Sequence, residues 1–149
     1  WKEEIGEDPA VYGFPIYSPQ DFTPAFASGS AQFDGMLILP CSAGSLARIA
    51  TGISTDLLSR SADVMLKEKR RLVIVLRESP FSLIHIRNIE TLLLAGATIM
   101  PASPSFYSKP ETLDQLLDTV VCRALDQLGI PNHLMQRWRG LHGNVPTGH

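Results

Sequence analysis

The chain has 149 residues, 44% hydrophobic and 19% charged, the balance of one soluble globular domain with a single core rather than of a disordered or fibrous polypeptide. Its net charge of −2 gives no electrostatic ground for a nucleic-acid or acidic-membrane partner, so any anion site has to be local. The longest apolar runs, Met36 to Pro40 and Leu72 to Leu76, are far too short to cross a bilayer and no signal-peptide pattern opens the chain, which places the protein in the cytoplasm.

Residues 1–30 hold Pro15, Pro19, Pro24 and the turn-forming Ser28-Gly29-Ser30, and read as a connecting region with at most short helical pieces. The chain opens on Trp1 rather than methionine, as a fragment or a processed form would. The core is expected over 31–139. Met36-Leu37-Ile38-Leu39 is a short apolar run stopped by Pro40, the pattern of a strand buried on both faces of a parallel sheet. A helix follows from about Ser42 to Ala50, and Ser54 or Thr55 can cap a second one running to about Lys69, with Leu57, Leu58, Ala62, Met65 and Leu66 at helical spacing.

Leu72-Val73-Ile74-Val75-Leu76 is the clearest strand, and Ser82 to Leu94 reads as a helix closed by Gly96. Thr98-Ile99-Met100 forms a third strand ended by Pro101. Glu111 to Leu128 then forms a helix whose apolar stripe is Leu113, Leu116, Leu117, Val120, Val121, Ala124, Leu125 and Leu128. Residues 140–149 read as a loose tail. Strands alternating with helices imply a doubly wound parallel sheet, a three-layer α/β/α arrangement with ligands beyond the C-terminal ends of the strands. Cys41 and Cys122, the two cysteines of the chain, sit in apolar surroundings that suit reduced, buried thiols. No His, Cys or carboxylate spacing suggests a metal.

The strand-end rule selects Pro40 to Ser45, Arg77-Glu78-Ser79-Pro80 and Pro101 to Lys109. In the first, Ser42, Ala43, Gly44 and Ser45 meet the start of a helix, where free N–H groups attract a phosphate, although a serine N-cap alone is ordinary. Arg77 and Glu78 follow a buried strand directly, where a charged pair is costly unless used; a solvated loop fits equally. Arg60 and Lys67 lie within about 20° of each other around the second helix, which also suits a plain basic face. Arg123 interrupts the apolar stripe and needs a partner, either a phosphate or a carboxylate. Tyr107 and Trp138 are of a type that more often anchors packing, and His85 reads as structural.

Taken together, Ala27-Ser28-Gly29-Ser30, Leu39-Pro40-Cys41-Ser42, Ser59-Arg60-Ser61-Ala62-Asp63-Val64 with Leu66-Lys67-Glu68, Leu76-Arg77-Glu78-Ser79-Pro80, Pro104-Ser105-Phe106-Tyr107 with Lys109-Pro110, and Arg123-Ala124-Leu125-Asp126 resemble, in order and spacing, the motifs of the UbiX-type flavin prenyltransferases. The match runs from about Asp21 to Arg139. The resemblance implies a Rossmann-like flavoprotein, homo-oligomeric and often dodecameric, that transfers a dimethylallyl group from dimethylallyl phosphate to reduced FMN. Its product, prenylated FMN, goes to a UbiD-type decarboxylase, and no metal is needed.

Carried over residue by residue, the resemblance gives Ser42, Ala43, Gly44, Ser45 and Arg77 to FMN. Tyr107, Lys67 and Arg123 go to the prenyl phosphate, with Arg60 supplied by a neighbouring subunit. Glu78 transfers the proton, and Trp138 covers the site. The chain departs from the family at Ala43-Gly44, where a bulkier residue and often lysine stands, at Ser45 for threonine, and at Ser105 for alanine. The family's opening strand, Gly-Ala-Ser-Gly-like turn, helix and second strand have no counterpart here; that piece is expected on another chain, as a cleaved segment, or outside these residues. Two rivals remain: a cysteine-decarboxylase-like flavoenzyme, although Asn88 and His85 sit mid-helix, and a non-catalytic truncated oligomer subunit.

Overall fold

A computed structural model describes residues 9–135; Trp138 and the tail expected over 140–149 lie outside the described residues. Strand β2 (Arg71–Leu76) organises the molecule, because its β-branched and leucine side chains alternate between two faces and Leu72 through Leu76 are all buried. Each such burial is worth about 1.5–3 kcal/mol. β1 (Gly35–Cys41) and β3 (Thr98–Pro101) flank it in the order β1-β2-β3, both parallel to it.

On one face Leu72, Ile74 and Leu76 pack with Ile38 and Cys41 of β1, Leu46 of α1 (Ala43–Ala50), Met65 of α2 (Leu57–Lys67) and Leu92 of α3 (Leu83–Leu94). On the other, Val75 packs with Val120 and Ala124 of α4 (Leu113–Leu128). Helices therefore cover both faces, giving the expected three layers of a doubly wound α/β fold. The segment before β1 holds two short 3-10 turns, Pro9–Tyr12 and Ala25–Ala27.

Helix starts follow side-chain chemistry. Ser42, Ser82 and Thr112 each accept a hydrogen bond from the backbone N–H three residues on, which satisfies a donor the helix cannot. His85 closes a capping box on Ser82, a structural role. Three expectations need correction. Asp56, not Ser54 or Thr55, caps α2, because its carboxylate takes both the Ser59 N–H and the Ser59 hydroxyl at 2.7 Å; α2 ends at Lys67. β1 is an edge strand among the described residues, with Met36 and Leu37 half-buried and Leu39 39% exposed. Leu113 and Leu117 of the α4 stripe are 69% and 49% exposed, because the helix meets the sheet from about Thr119 onward.

Candidate functional site

Parallel strands deliver their C-terminal ends to one rim. The Arg77 N–H donates to the Cys41 carbonyl at 2.9 Å and the Ala102 N–H to the Leu76 carbonyl at 2.8 Å. The ladder thus continues past each strand, and the loops starting at Ser42, Arg77 and Ala102 leave side by side. Ser42 Oγ accepts from the Ser45 N–H and donates to Ser45 Oγ, both at 3.1 Å. This fixes the first turn of α1, whose Ala43 and Gly44 N–H groups precede the first intrahelical bond, from Leu46 to Ser42, the position at which helix N–H groups attract anions. Cys41 beneath them is 1% exposed and burial pushes its thiol up to about 11, so it is a neutral packing group and no nucleophile.

Arg77 is exposed and Glu78 half-buried, with Glu78 Oε1 accepting from the Ser79 N–H at 3.1 Å. The loop after β3 is pinned to α4 by the Ser105 N–H donating to buried Thr119 Oγ1 at 2.9 Å. It carries Tyr107, 75% exposed, whose N–H donates to Ser105 Oγ at 3.4 Å. Within this chain Arg123 pairs with a carboxylate, Asp126, at 3.1 Å, and its side chain is 61% exposed.

Lys67 lies elsewhere. It ends α2, beside the start of β2, and six residues of strand at about 3.3 Å each put roughly 20 Å between that rim and Arg77. A turn of the N-terminal segment is clamped there. Arg60 Nε donates to the Ala27 carbonyl at 3.3 Å, and Arg70 donates to the Gly29 and Ala31 carbonyls. Lys67 pairs with Glu68 at 2.9 Å directly over Gly29, where an added Cβ would stand 2.8 Å from Lys67 Nζ. The structure therefore brings Ser42, Ala43, Gly44, Ser45, Arg77 and Glu78 to one rim, with the Tyr107 loop leaving from it. It does not bring Lys67 there within one chain, and Trp138 lies outside the described residues.

A cavity of about 430 Å³ lies off the rim, lined by Tyr17, Phe26, Phe33, Met36, Leu58 and Met65 among others, with none of the sequence-selected site residues. Among the described residues no group of three or more His, Cys, Asp or Glu could hold a metal ion, and no helix is long and apolar enough to cross a membrane. Two residues near the rim escaped the sequence reading. Arg48 donates to Ser45 Oγ at 3.2 Å and stands 3.5 Å from Asp56; the i, i+3 spacing of Ser42, Ser45 and Arg48 is the signal that could have found it.

The Flavoprotein family matches residues 18–125. The chain is 58% identical over 118 residues to the flavin prenyltransferase UbiX of Halalkalibacterium halodurans, covering 79% of this chain and 57% of that protein. The crystal structure of AnUbiX (PadA1) in complex with FMN and dimethylallyl pyrophosphate superposes with a TM-score of 0.81 at 45% identity, covering 83% of this chain and 66% of that one. A dodecameric FMN-dependent UbiX-like decarboxylase from Escherichia coli O157:H7 does so with a TM-score of 0.79 at 44% identity, covering 83% and 67%. The chain thus spans little more than half the length of the bacillary relative. On sequence and fold together, the chain belongs to the flavoprotein family and, within it, to the UbiX-type flavin prenyltransferases.

Proposed function

We propose that this chain forms the larger part of a flavin prenyltransferase that transfers a dimethylallyl group from dimethylallyl phosphate to reduced FMN. The observation that carries this is the knitting of the Ser42, Arg77 and Ala102 loops into one rim through the Cys41 and Leu76 carbonyls. The donor set there fits a flavin nucleotide. The first-turn N–H groups of α1 and the Ser42 and Ser45 hydroxyls suit a ligand rich in acceptors, and the exposed Arg77 guanidinium suits its negative charge. Similarity to a protein whose structure contains FMN and dimethylallyl pyrophosphate supports the same ligands here.

Reduced FMN, when bound, supplies the nucleophile. The residues of this chain hold and screen: Arg77 orients the flavin, Tyr107 and Arg123 hold the departing phosphate, and Trp138 excludes water. Glu78 has one oxygen on the Ser79 N–H and offers the other for proton transfer. Lys67 serves the phosphate of a neighbouring copy, because its own rim is the far one, and Arg60, held on the Ala27 carbonyl, joins it there. The exposed apolar side chains of α3, Leu83 at 65%, Ile84 at 70% and Leu94 at 84%, suit a homo-oligomer, as does similarity to a dodecamer. The remainder of the flavin site lies on polypeptide outside these 149 residues, and the product passes to a UbiD-type decarboxylase. The cysteine-decarboxylase-like alternative is not favoured by His85, whose Nδ1 accepts from the Ser82 N–H at 3.2 Å as part of a helix cap.

The test is incubation with reduced FMN and either dimethylallyl phosphate or the diphosphate, followed by flavin mass and absorption, alongside the intact mass of the purified protein. The flavin should gain one dimethylallyl unit. An intact mass showing these 149 residues to be the whole product, together with no flavin bound, would end the enzymatic reading.

A further inference from the structure

A hydroxyl group has one proton and two lone pairs, and an arginine side chain has donors only. Ser45 Oγ takes a hydrogen bond from Ser42 Oγ at 3.1 Å and a second from Arg48 Nη2 at 3.2 Å. Both lone pairs are then filled, and the Ser45 proton is left free for another acceptor. Arg48 does not reach this position by chance of rotamer. Its Nη2 also lies 3.5 Å from Asp56 Oδ2, while Asp56 Oδ1 is fixed by the Ser59 N–H and hydroxyl at the cap of α2. The Arg48 Nε is buried without a hydrogen-bond partner among the described residues, so the side chain sits where it does despite an unmet donor, a cost that a floppy surface arginine would avoid.

We propose that Arg48, steadied by Asp56, is a positioning residue for the flavin: by filling an acceptor site on Ser45 it commits the Ser45 hydroxyl to donate to an acceptor atom of FMN. The proposal rests on the functional reading above. It extends that reading from the loop residues to a second layer that ties the start of α1 to the cap of α2. Lysine keeps a charged donor group at this position, whereas methionine keeps the apolar stem and loses the donor.

The experiment is FMN titration of the full chain by flavin fluorescence, with Arg48→Met, Arg48→Lys, Ser45→Ala and the Arg48→Met/Ser45→Ala pair, each checked for an unchanged melting curve. Arg48→Met and Ser45→Ala should each weaken FMN binding about tenfold, the scale of one lost hydrogen bond. The double variant should be no weaker than Ser45→Ala alone, and Arg48→Lys should recover most of the affinity. An arginine that merely props the fold would weaken binding equally in the Ser45→Ala background. Effects that multiply, or unaltered binding in Arg48→Met, therefore overturn the proposal while leaving FMN binding intact. Should Arg48→Met fail to fold, Asp56→Asn, which frees Arg48 without touching α1, must show the same dependence on Ser45 or the proposal falls. Absence of FMN binding by the unsubstituted protein overturns the functional reading itself, and this inference with it.

Discussion

Asp56 shows how much one side chain can settle. Its carboxylate caps α2, pairs with Arg48, and is held below the usual carboxylate range by the Ser59 N–H and hydroxyl first and by Arg48 last, against a small opposing effect of burial. A depressed folded value means that the ionised form stabilises the fold above the unfolded pKa of about 3.9 and that this stabilisation fades as pH falls through the folded value. Asp56→Ala should therefore lower stability at neutral pH by about 1 kcal/mol, the usual worth of an N-cap. The gap from the unsubstituted protein should narrow as urea midpoints are measured from pH 5 downward; a gap constant to pH 2 would contradict it. At this scale the sequence was a partial guide. Ser42, Ser82 and Thr112 act through neighbours three residues away, so their roles were legible from spacing. Asp56 and Arg70 act across loops, on Arg48 and the Gly29 turn respectively, and no local pattern announces such contacts, whereas the reach of Arg48 to Ser45 was written in an i, i+3 spacing that went unread.

Among the elements, α4 depends on how it stops. Gly129 takes φ of 77° at its C-terminus, a left-handed conformation, and the Arg71 guanidinium that donates to the Leu128 carbonyl at 2.6 Å fills the space where a Cβ would stand. Gly129→Ala should cost about 1–2 kcal/mol from the backbone alone, read as a lower urea midpoint with unchanged slope. Arg71→Ala combined with it should cost less than the two changes summed, because removing the guanidinium clears the clash. The strand β2 and the helix after Ser82 could be read almost to the residue, since a β-branched run and a capped helix are written locally. The two miscast faces have a common cause. A continuous apolar run such as Met36 to Leu39 specifies that a surface seeks burial, and Leu113 and Leu117 do the same, but neither says whether the covering layer belongs to the same 149 residues.

For the whole molecule, the central sheet separates two cores, one beneath α1, α2 and α3 and one beneath α4. The three-layer arrangement was legible because alternation of strand and helix constrains topology strongly. The meeting of distant loops was legible only as a rim, without the distances that set Lys67 and Arg77 about 20 Å apart by the strand-length estimate. Placing Lys67, proposed for the prenyl phosphate, and Arg77, proposed for the flavin, on opposite rims makes assembly part of the chemistry. Lys67→Ala and Arg77→Ala chains, each inactive alone, should regain turnover when mixed and allowed to exchange subunits, since some sites then draw both residues from intact copies. No recovery after verified exchange would mean that Lys67 and Arg77 do not meet across subunits.

The two thiols were noted above only as inert fillers, yet they stand on different storeys of the building: Cys41 at 1% exposure between β1 and α1, Cys122 at 4% on α4. An alkylating reagent can reach either sulfur only when its own storey opens. Timed labelling with mass readout thus turns them into a pair of clocks; equal rates mean that the protein comes apart in one event, and a faster Cys122 means that the α4 side lifts away first.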